Sequence, residues 1–163
     1  MSRASRIIIA RRLPAEPPAP PPADQVRRGV LGVMRRAGRL LLIQRAIGVR
    51  VGGLWCFPGG HIEPDEPEAE ALVREMREEL GLEVRAGRRL LTLRKYGGQL
   101  LLYTWSATIV SGRLTPDPRE VAATRWMTPA QMRRMRITSQ AVPLEAPPHL
   151  ITGTLTILRR LGL

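Results

Sequence analysis

The chain has 163 residues, of which 44% are hydrophobic and 25% are charged. These values are typical of a globular domain with a single buried core. One cysteine, Cys56, excludes an intrachain disulfide framework and, with only two histidines in the chain, a Cys/His zinc module. No apolar run approaches the roughly 18–20 residues of a membrane span, so no membrane partner is predicted.

The formal net charge is +12, and 25 of the 26 basic residues are arginine because Lys95 is the only lysine. Residues 1–36 hold eight arginines against Glu16 and Asp24, so they contribute +6 of this charge. Arginine, alanine, proline and glycine are all abundant, which is typical of GC-rich coding. A generic basic surface is therefore favoured over a dedicated nucleic-acid partner. Either a monomer or a homodimer is compatible with the composition.

The predicted domain covers residues 25–163 and follows a tail, residues 1–24. Residues 1–13 are rich in arginine and lack acids, as mitochondrial transit peptides do. In a bacterial protein they would form an ordinary tail, and the sequence leaves both interpretations open. Pro14–Pro22 contains six prolines in nine residues, which predicts an extended polyproline-like linker. The single cysteine fits a reducing cytoplasm, and a mitochondrial location is the alternative in a eukaryote.

The first half of the domain is predicted to contain three strands and a helix. Val26–Arg36 and Arg39–Arg45 form two strands joined by a tight turn, and Leu54–Phe57 forms a short apolar strand. A helix is predicted over Pro67–Leu80, because proline suits the first turn of a helix and Gly81 suits its C-terminal stop.

The second half of the domain is predicted to contain three more strands and two helices. Arg89–Arg94 and Gln99–Val110 form a hairpin, and Val121–Trp126 forms another strand. Thr128 opens a helix that runs to about Met135, and a closing helix is predicted over His149–Leu161. Strands mixed with a few helices indicate an α/β or α+β layered domain.

The helix Pro67–Leu80 carries both an apolar stripe and a group of carboxylates. The stripe has helical spacing and is expected to face the core; it comprises Ala69, Leu72, Val73, Met76 and Leu80. Glu75, Glu78 and Glu79 are spaced i, i+3 and i+4, so they are expected to lie close together on the helix surface, where like charges repel. A divalent cation reverses that repulsion, and carboxylate oxygens suit Mg²⁺ or Mn²⁺.

An acidic helix face that is simply solvated, with Arg74 and Arg77 pairing with the carboxylates, is the alternative. The loop before the helix argues against it, because Gly59-Gly60 allows the backbone to approach a ligand closely. The sequence therefore favours a phosphate-binding site at the junction of this loop and the helix.

Residues 60–82 resemble the signature of the Nudix hydrolases at every fixed position, namely Gly60, Glu66, Arg74, Glu75, Met76, Glu78, Glu79, Gly81 and Leu82. The resemblance implies the Nudix α/β/α sandwich, with a mixed sheet between helices, over about residues 26–162. It also implies hydrolysis of a nucleoside diphosphate linked to another moiety, by attack of water on a phosphorus, with Mg²⁺ or alternatively Mn²⁺ as the cofactor.

The resemblance implies a role for each matching position. Glu78 and Glu79 are expected to bind the metal together with the Gly59 carbonyl. Glu75 is expected to be a further ligand or the base for the attacking water, oriented by Arg74. Family members differ in which glutamate is the base, so Glu75 and Glu78 both remain candidates. Glu66 is expected to support the loop.

Two residues outside the signature are also implied. Many family members supply a further acidic ligand from a loop before a late strand, and Glu120 resembles it; an exposed loop acid is the alternative. Arg45 matches a position where relatives contact a substrate phosphate, and arginine suits bidentate phosphate contact. Cys56 is expected to be structural, and the aromatic residues are expected to lie mostly in the core: Trp55, Trp105, Trp126, Tyr96 and Tyr103.

The substrate is inferred by elimination. Signals of the ADP-ribose, NADH and coenzyme A branches of the family are missing, so the chain is most similar to the MutT-type nucleoside triphosphate pyrophosphohydrolases, including those that remove oxidised dGTP. A dinucleoside-polyphosphate or nucleotide-sugar hydrolase is the alternative. A non-catalytic nucleotide-binding module is disfavoured, because such a module does not need Arg74 and all three glutamates.

Overall fold

The computed structural model describes residues 26–163. The predicted tail, including the transit-like segment and the proline-rich linker, lies outside the described residues. Within the described part of the chain, no helix is long and apolar enough to cross a membrane.

Residues 26–163 form eight strands, three α-helices and one short 3₁₀ turn. In chain order these are β1 (Arg27–Arg36), β2 (Arg39–Arg45), β3 (Trp55–Cys56), α1 (Glu68–Leu80), β4 (Leu82–Lys95), the 3₁₀ turn (Tyr96–Gly98), β5 (Leu100–Gly112), β6 (Val121–Met127), α2 (Pro129–Arg133), β7 (Arg136–Thr138), β8 (His149–Ile151) and α3 (Thr152–Arg160).

The sheet is mixed, and β1 and β2 link its two parts. β1 runs parallel to β5, with Arg27 opposite Leu100 and Met34 opposite Ala107, and β5 pairs with β4 in antiparallel fashion. β1 and β2 pair only beside their connecting turn. Beyond that point β2 pairs with β3 and β6, and β3 continues to β8 and β7. The predicted first two strands are confirmed.

Alternate residues of β2 bury into two different cores. Leu41 and Ile43 belong to the core that packs under α1, whereas Leu40 and Leu42 belong to the core that packs under α2 and α3. All four side chains are completely buried, because successive residues of a strand face opposite sides of the sheet and both sides are covered. The α/β/α sandwich with a mixed sheet is therefore confirmed.

The C-terminal end of α1 is as predicted, whereas its N-terminal end differs by one residue. Pro67, predicted in the first turn, is the N-terminal cap, in an extended conformation, and the helix begins at Glu68. Gly81 closes the helix in the left-handed conformation, at φ 66°, and its N–H donates to the Arg77 carbonyl at 3.0 Å. Glycine takes that conformation without the steric cost that a Cβ imposes.

Several predicted boundaries in the second half of the domain are wrong. The predicted closing helix His149–Leu161 begins as a strand, because His149–Ile151 fills the space beside β3 and β7. β4 begins at Leu82 rather than Arg89, and bulges around Ala86 and Arg89 interrupt the alternation that would have revealed it. α2 ends at Arg133, and the short strand β7 was not predicted.

One aromatic residue also departs from its prediction. Tyr96 is 57% exposed rather than in the core, and it occupies the left-handed region at φ 52°. It lies at the tip of the β4–β5 hairpin, where few groups surround a side chain.

Candidate active site

The carboxylates of α1 are not all on the helix surface, contrary to the prediction. Glu75 and Glu79 are buried, with Glu79 only 3% exposed, whereas the Glu78 side chain is 60% exposed. The buried positions of the helix are Ala71, Leu72, Glu75, Met76, Glu79 and Leu80. The stripe that faces the protein therefore includes two acids, because the loop before α1 folds over this side of the helix.

Pro58-Gly59-Gly60 lies between β1 and α1. Its carbonyls accept hydrogen bonds from β1, from Gly32 N–H to Pro58 and from Val30 N–H to Gly60, both at 2.9 Å. A Cβ on Gly59, at φ 139°, would overlap the Val30 carbonyl, and one on Gly60 would overlap the Glu75 carboxylate. Both glycines are needed because the backbone itself fills this gap.

Arg74 ties the loop to the helix with all five of its N–H donors. Nε and Nη2 donate to the two oxygens of Glu66 at 2.8 and 2.9 Å, and Nη2 also donates to the His61 carbonyl at 2.8 Å. Nη1 donates to Glu75 at 2.9 Å and to Glu78 at 3.1 Å. The guanidinium thus fixes the Glu75 carboxylate relative to the loop.

Glu66 has the supporting position that was expected for it. It accepts the paired bonds from Arg74 and a further bond from the Glu63 N–H at 2.9 Å. These hydrogen bonds, chiefly those from Arg74, lower the pKa of Glu66 to about 2. Glu66 therefore stays ionised at neutral pH, and its carboxylate holds the Arg74 guanidinium in place.

Replacing Arg74 with Lys is expected to weaken both the fold and the site. Lysine keeps the charge but has three donors on a flexible stem, so it cannot reproduce the paired bond to Glu66 together with the bonds to His61 and Glu75. We expect a loss of about 2 kcal/mol in the free energy of unfolding, measured by urea denaturation, and at least about a tenfold loss in kcat/KM.

The matched control is Arg77→Lys, three residues further along the helix. Arg77 pairs with Glu83 at an exposed position, so little change in either quantity is expected. Equal effects of the two substitutions would contradict the role given to Arg74.

Burial makes the two inward-facing carboxylates costly to ionise. It raises the pKa of Glu79 to about 8, although the Gly59 N–H donates to this carboxylate at 3.0 Å and partly offsets the effect. Burial also raises the pKa of Glu75, against the opposing influence of Arg74. The negative charges of Glu75 and Glu120 add to the rise at Glu79. Such a group of acids is stabilised by a cation placed among them.

Arg45 and Glu120 come to this cluster from other elements. Arg45, at the end of β2, is close enough to Glu79 to lower its pKa, and Glu120 is close enough to Glu75 and Glu79 to raise theirs. The Glu120 carbonyl accepts the Ala46 N–H at 2.8 Å, which holds the two segments together. The fold therefore brings both residues to the carboxylate helix.

Cys56 is structural, as expected. It is buried next to Arg45, and burial raises the pKa of its thiol to about 11. The thiol therefore stays protonated at neutral pH and is a poor nucleophile.

The donor set fits a hard divalent cation, although residues 26–163 contain no group of three or more His, Cys, Asp or Glu side chains already arranged around a metal position. Arg74 lies between Glu75 and Glu78 and pairs with both. The cluster nevertheless supplies only oxygen ligands, and its buried carboxylates lack a full countercharge, which is the combination that Mg²⁺ or Mn²⁺ satisfies.

A family model, described as the NUDIX domain, matches residues 24–146. The chain belongs to the Nudix hydrolase family. Its reaction is the hydrolysis of a pyrophosphate linkage in a nucleotide derivative, and Nudix hydrolases generally use divalent metal ions.

Three known proteins illustrate what this Nudix hydrolase is similar to. The CTP pyrophosphohydrolase of Escherichia coli (strain K12) is 35% identical, over 71% of this chain and 85% of that protein. A Mycobacterium tuberculosis (strain H37Rv) protein named as a candidate 8-oxo-dGTP diphosphatase is 33% identical, over 63% of this chain and 74% of that protein. The crystal structure of a MutT NUDIX hydrolase from Burkholderia pseudomallei aligns with a TM-score of 0.64 and 26% identity, over 84% of this chain and 98% of that one.

Two contacts in the site of this Nudix hydrolase have no signature in the sequence. Arg45 Nε donates to the Arg50 carbonyl at 2.9 Å, and Arg50 lies over the Tyr96 ring. Backbone acceptors have no sequence signature, and Tyr96 is 46 residues away from Arg50 in the chain. Only the fold brings them together.

Proposed function

We propose that this Nudix hydrolase cleaves nucleoside triphosphates, with Mg²⁺, to the nucleoside monophosphate and pyrophosphate. The observation that supports this most is the pair of buried carboxylates beside Gly59-Gly60, in which Arg74 holds Glu75 and the Gly59 N–H holds Glu79. A buried cluster of acids lowers the stability of the fold unless a cation offsets the cost of burying the carboxylates. A cation at that position would also neutralise the charge of a bound pyrophosphate.

Five groups are proposed to hold the metal: the carboxylates of Glu75, Glu78, Glu79 and Glu120, and the carbonyl of Gly59. When bound, Mg²⁺ supplies charge neutralisation for the phosphates and acidification of a coordinated water. Mn²⁺ is an acceptable substitute because it takes the same oxygen ligands.

Arg74, Glu75 and Glu78 are the proposed catalytic residues. Glu75 or Glu78 accepts the proton of the attacking water, and Arg74 is hydrogen-bonded to both, so it sets their orientation. A carboxylate whose pKa is raised, as that of Glu75 is, is a better proton acceptor than an ordinary one. Arg45 binds a substrate phosphate through its guanidinium.

The triphosphate substrate is supported by the activities for which two relatives are named, a CTP pyrophosphohydrolase and a candidate 8-oxo-dGTP diphosphatase. Both names specify a nucleoside triphosphate as the substrate, which agrees with the similarity of the sequence to the MutT-type enzymes. We propose a small nucleotide as the partner in a cytoplasmic setting, with residues 25–163 as the catalytic domain.

A substrate panel with Mg²⁺ tests this proposal. CTP, dGTP, 8-oxo-dGTP, a dinucleoside polyphosphate and ADP-ribose are compared, on the full chain and on a variant that lacks residues 1–23. We expect a triphosphate to have the highest kcat/KM, with pyrophosphate rather than phosphate as the product, and equal rates for the two forms. A higher kcat/KM for the dinucleoside polyphosphate or ADP-ribose would show that the proposed substrate is wrong. A lower rate in the variant that lacks residues 1–23 would show that the tail contributes to the site.

A further inference from the structure

The loop between β2 and β3, residues 46–54, folds back onto Arg45 through three contacts. Arg45 N–H donates to the Leu54 carbonyl at 2.9 Å, and Gly53 N–H donates to the Arg45 carbonyl at 2.8 Å. The Arg45 side chain completes the set, because its Nε donates to the Arg50 carbonyl at 2.9 Å. The direction of the Arg45 guanidinium therefore depends on where the backbone of Arg50 lies.

The side chain of Arg50 reaches a different part of the molecule. Its guanidinium carbon lies 4.9 Å from the centre of the Tyr96 ring, at the tip of the β4–β5 hairpin, within the range of a cation–π contact. β2 and the β4–β5 hairpin belong to different parts of the sheet. The contact thus bridges two elements whose relative position is not set by direct strand pairing.

Tyr96 lies in a tightly turned segment of the chain. The residue has φ 52° and is followed by Gly97 at φ 64° and Gly98 at φ 100°. The left-handed conformation is disfavoured for a residue with a Cβ, and such conformations persist where the surroundings require them. The contact of the Tyr96 ring with the Arg50 guanidinium joins this tightly turned hairpin tip to the loop that follows β2.

We propose that Arg50 and Tyr96 are positioning residues that hold Arg45 ready for the substrate phosphate, through a latch between loop 46–54 and the hairpin tip. This inference rests on the proposed function, in which Arg45 binds a phosphate. The contacts form a chain: Tyr96 holds the Arg50 side chain, and the Arg50 carbonyl accepts from Arg45 Nε. The guanidinium of Arg45 is thereby held beside Cys56 and Glu79, at the carboxylate cluster. Neither Arg50 nor Tyr96 needs to touch the substrate.

Steady-state kinetics with CTP and 8-oxo-dGTP, in the full chain with Mg²⁺, test the latch. Tyr96→Ala and Arg50→Ala are each expected to raise KM about two- to fivefold, the range of a partly exposed cation–π contact, with a smaller change in kcat. Tyr96→Phe keeps an aromatic face and is expected to retain the wild-type KM. The double variant is expected to show no larger KM than either single one, because both remove the same contact.

An Arg45→Ala background separates positioning from a general structural effect. There, Tyr96→Ala is expected to cause no further rise in KM, because nothing remains to be positioned. Arg125→Ala is the matched control: Arg125 lies 5.2 Å from the Trp55 ring in a similar contact, without a hydrogen bond to Arg45, and we expect no change in KM. Amide hydrogen exchange at Gly53 is expected to become faster in Tyr96→Ala.

The failures of the two proposals are distinguishable. If the wild-type chain releases pyrophosphate but Tyr96→Ala has an unchanged KM, or raises KM equally in the Arg45→Ala background, the latch is overturned and the proposed function stands. If the wild-type chain hydrolyses neither nucleotide, the proposed function fails and the positioning role falls with it.

Discussion

Glu79→Gln is expected to lower metal-dependent pyrophosphate release by at least about 100-fold. Glu79 is proposed to bind the metal directly, and even partners that only support such ligands typically contribute 10- to 100-fold. Glutamine keeps the size of the side chain and can still accept the hydrogen bond from the Gly59 N–H, so the fold is expected to survive. Glu78→Gln is expected to have a similar effect on activity, from an exposed position where packing is not disturbed.

The measurement is pyrophosphate release at saturating nucleotide over a titration of Mg²⁺, with circular dichroism to check the fold. Glu70→Gln is the control, because Glu70 lies on the same helix, exposed and outside the carboxylate cluster; it is expected to keep full activity. If both Glu78→Gln and Glu79→Gln were fully active, the assignment of the metal site would be wrong. A loss in Glu70→Gln as well would indicate damage to the helix instead.

The metal-free protein is expected to lose stability as the pH rises between about 4.5 and 8. Glu79 has a pKa raised from 4.5 to about 8 in the folded protein. Between these values the unfolded chain has released the proton that the folded protein retains, so a rise in pH favours unfolding. The slope approaches about 1.4 kcal/mol per pH unit for one such group. Glu75 contributes in the same direction.

Urea denaturation in the presence of a chelator, at intervals from pH 5 to pH 8, measures this dependence. Glu79→Gln is expected to flatten it, and to be more stable than the wild type at pH 8. Glu66 and Asp117, whose pKa values are lowered to about 2, act in the opposite direction, but only below this window. Adding Mg²⁺ at pH 8 is expected to restabilise the wild type more than the variant. Parallel curves for the two proteins would contradict the burial cost assigned to Glu79.

Sequence patterns were most successful where the determinants are local. The ends of α1 follow from Pro67 and Gly81, whose conformational preferences act within one turn of the helix. The hairpin of β1 and β2 and the glycine loop before α1 are similarly short-range. The closing helix was misjudged because Leu150 and its neighbours have apolar character suited to either helix or strand, and the vacant position beside β3 decided between the two.

The same division holds in the candidate site. The spacing of Glu75, Glu78 and Glu79 was visible in the sequence, because a helix places residues three and four apart on one side. Their burial was not visible, since it depends on the Gly59-Gly60 backbone pressing against α1 from β1. Glu120 was identified only by its resemblance to a family position, whereas its approach to Glu75 and Glu79 depends on how the loop before β6 pairs with the residue after β2.

By itself, the sequence determined the family, the carboxylate helix and the two glycines, because each depends on residue types at fixed short spacings. The tertiary structure alone decided which carboxylates are buried and which is exposed, and it brought Tyr96 over Arg50 beside Arg45. Desolvation and long-range contacts depend on segments that are distant in the chain, so they arise only when the sheet is assembled. The residues that indicate the reaction are therefore recognisable from short stretches of sequence. The pKa values of the carboxylates and the position of Arg45 depend on the whole fold.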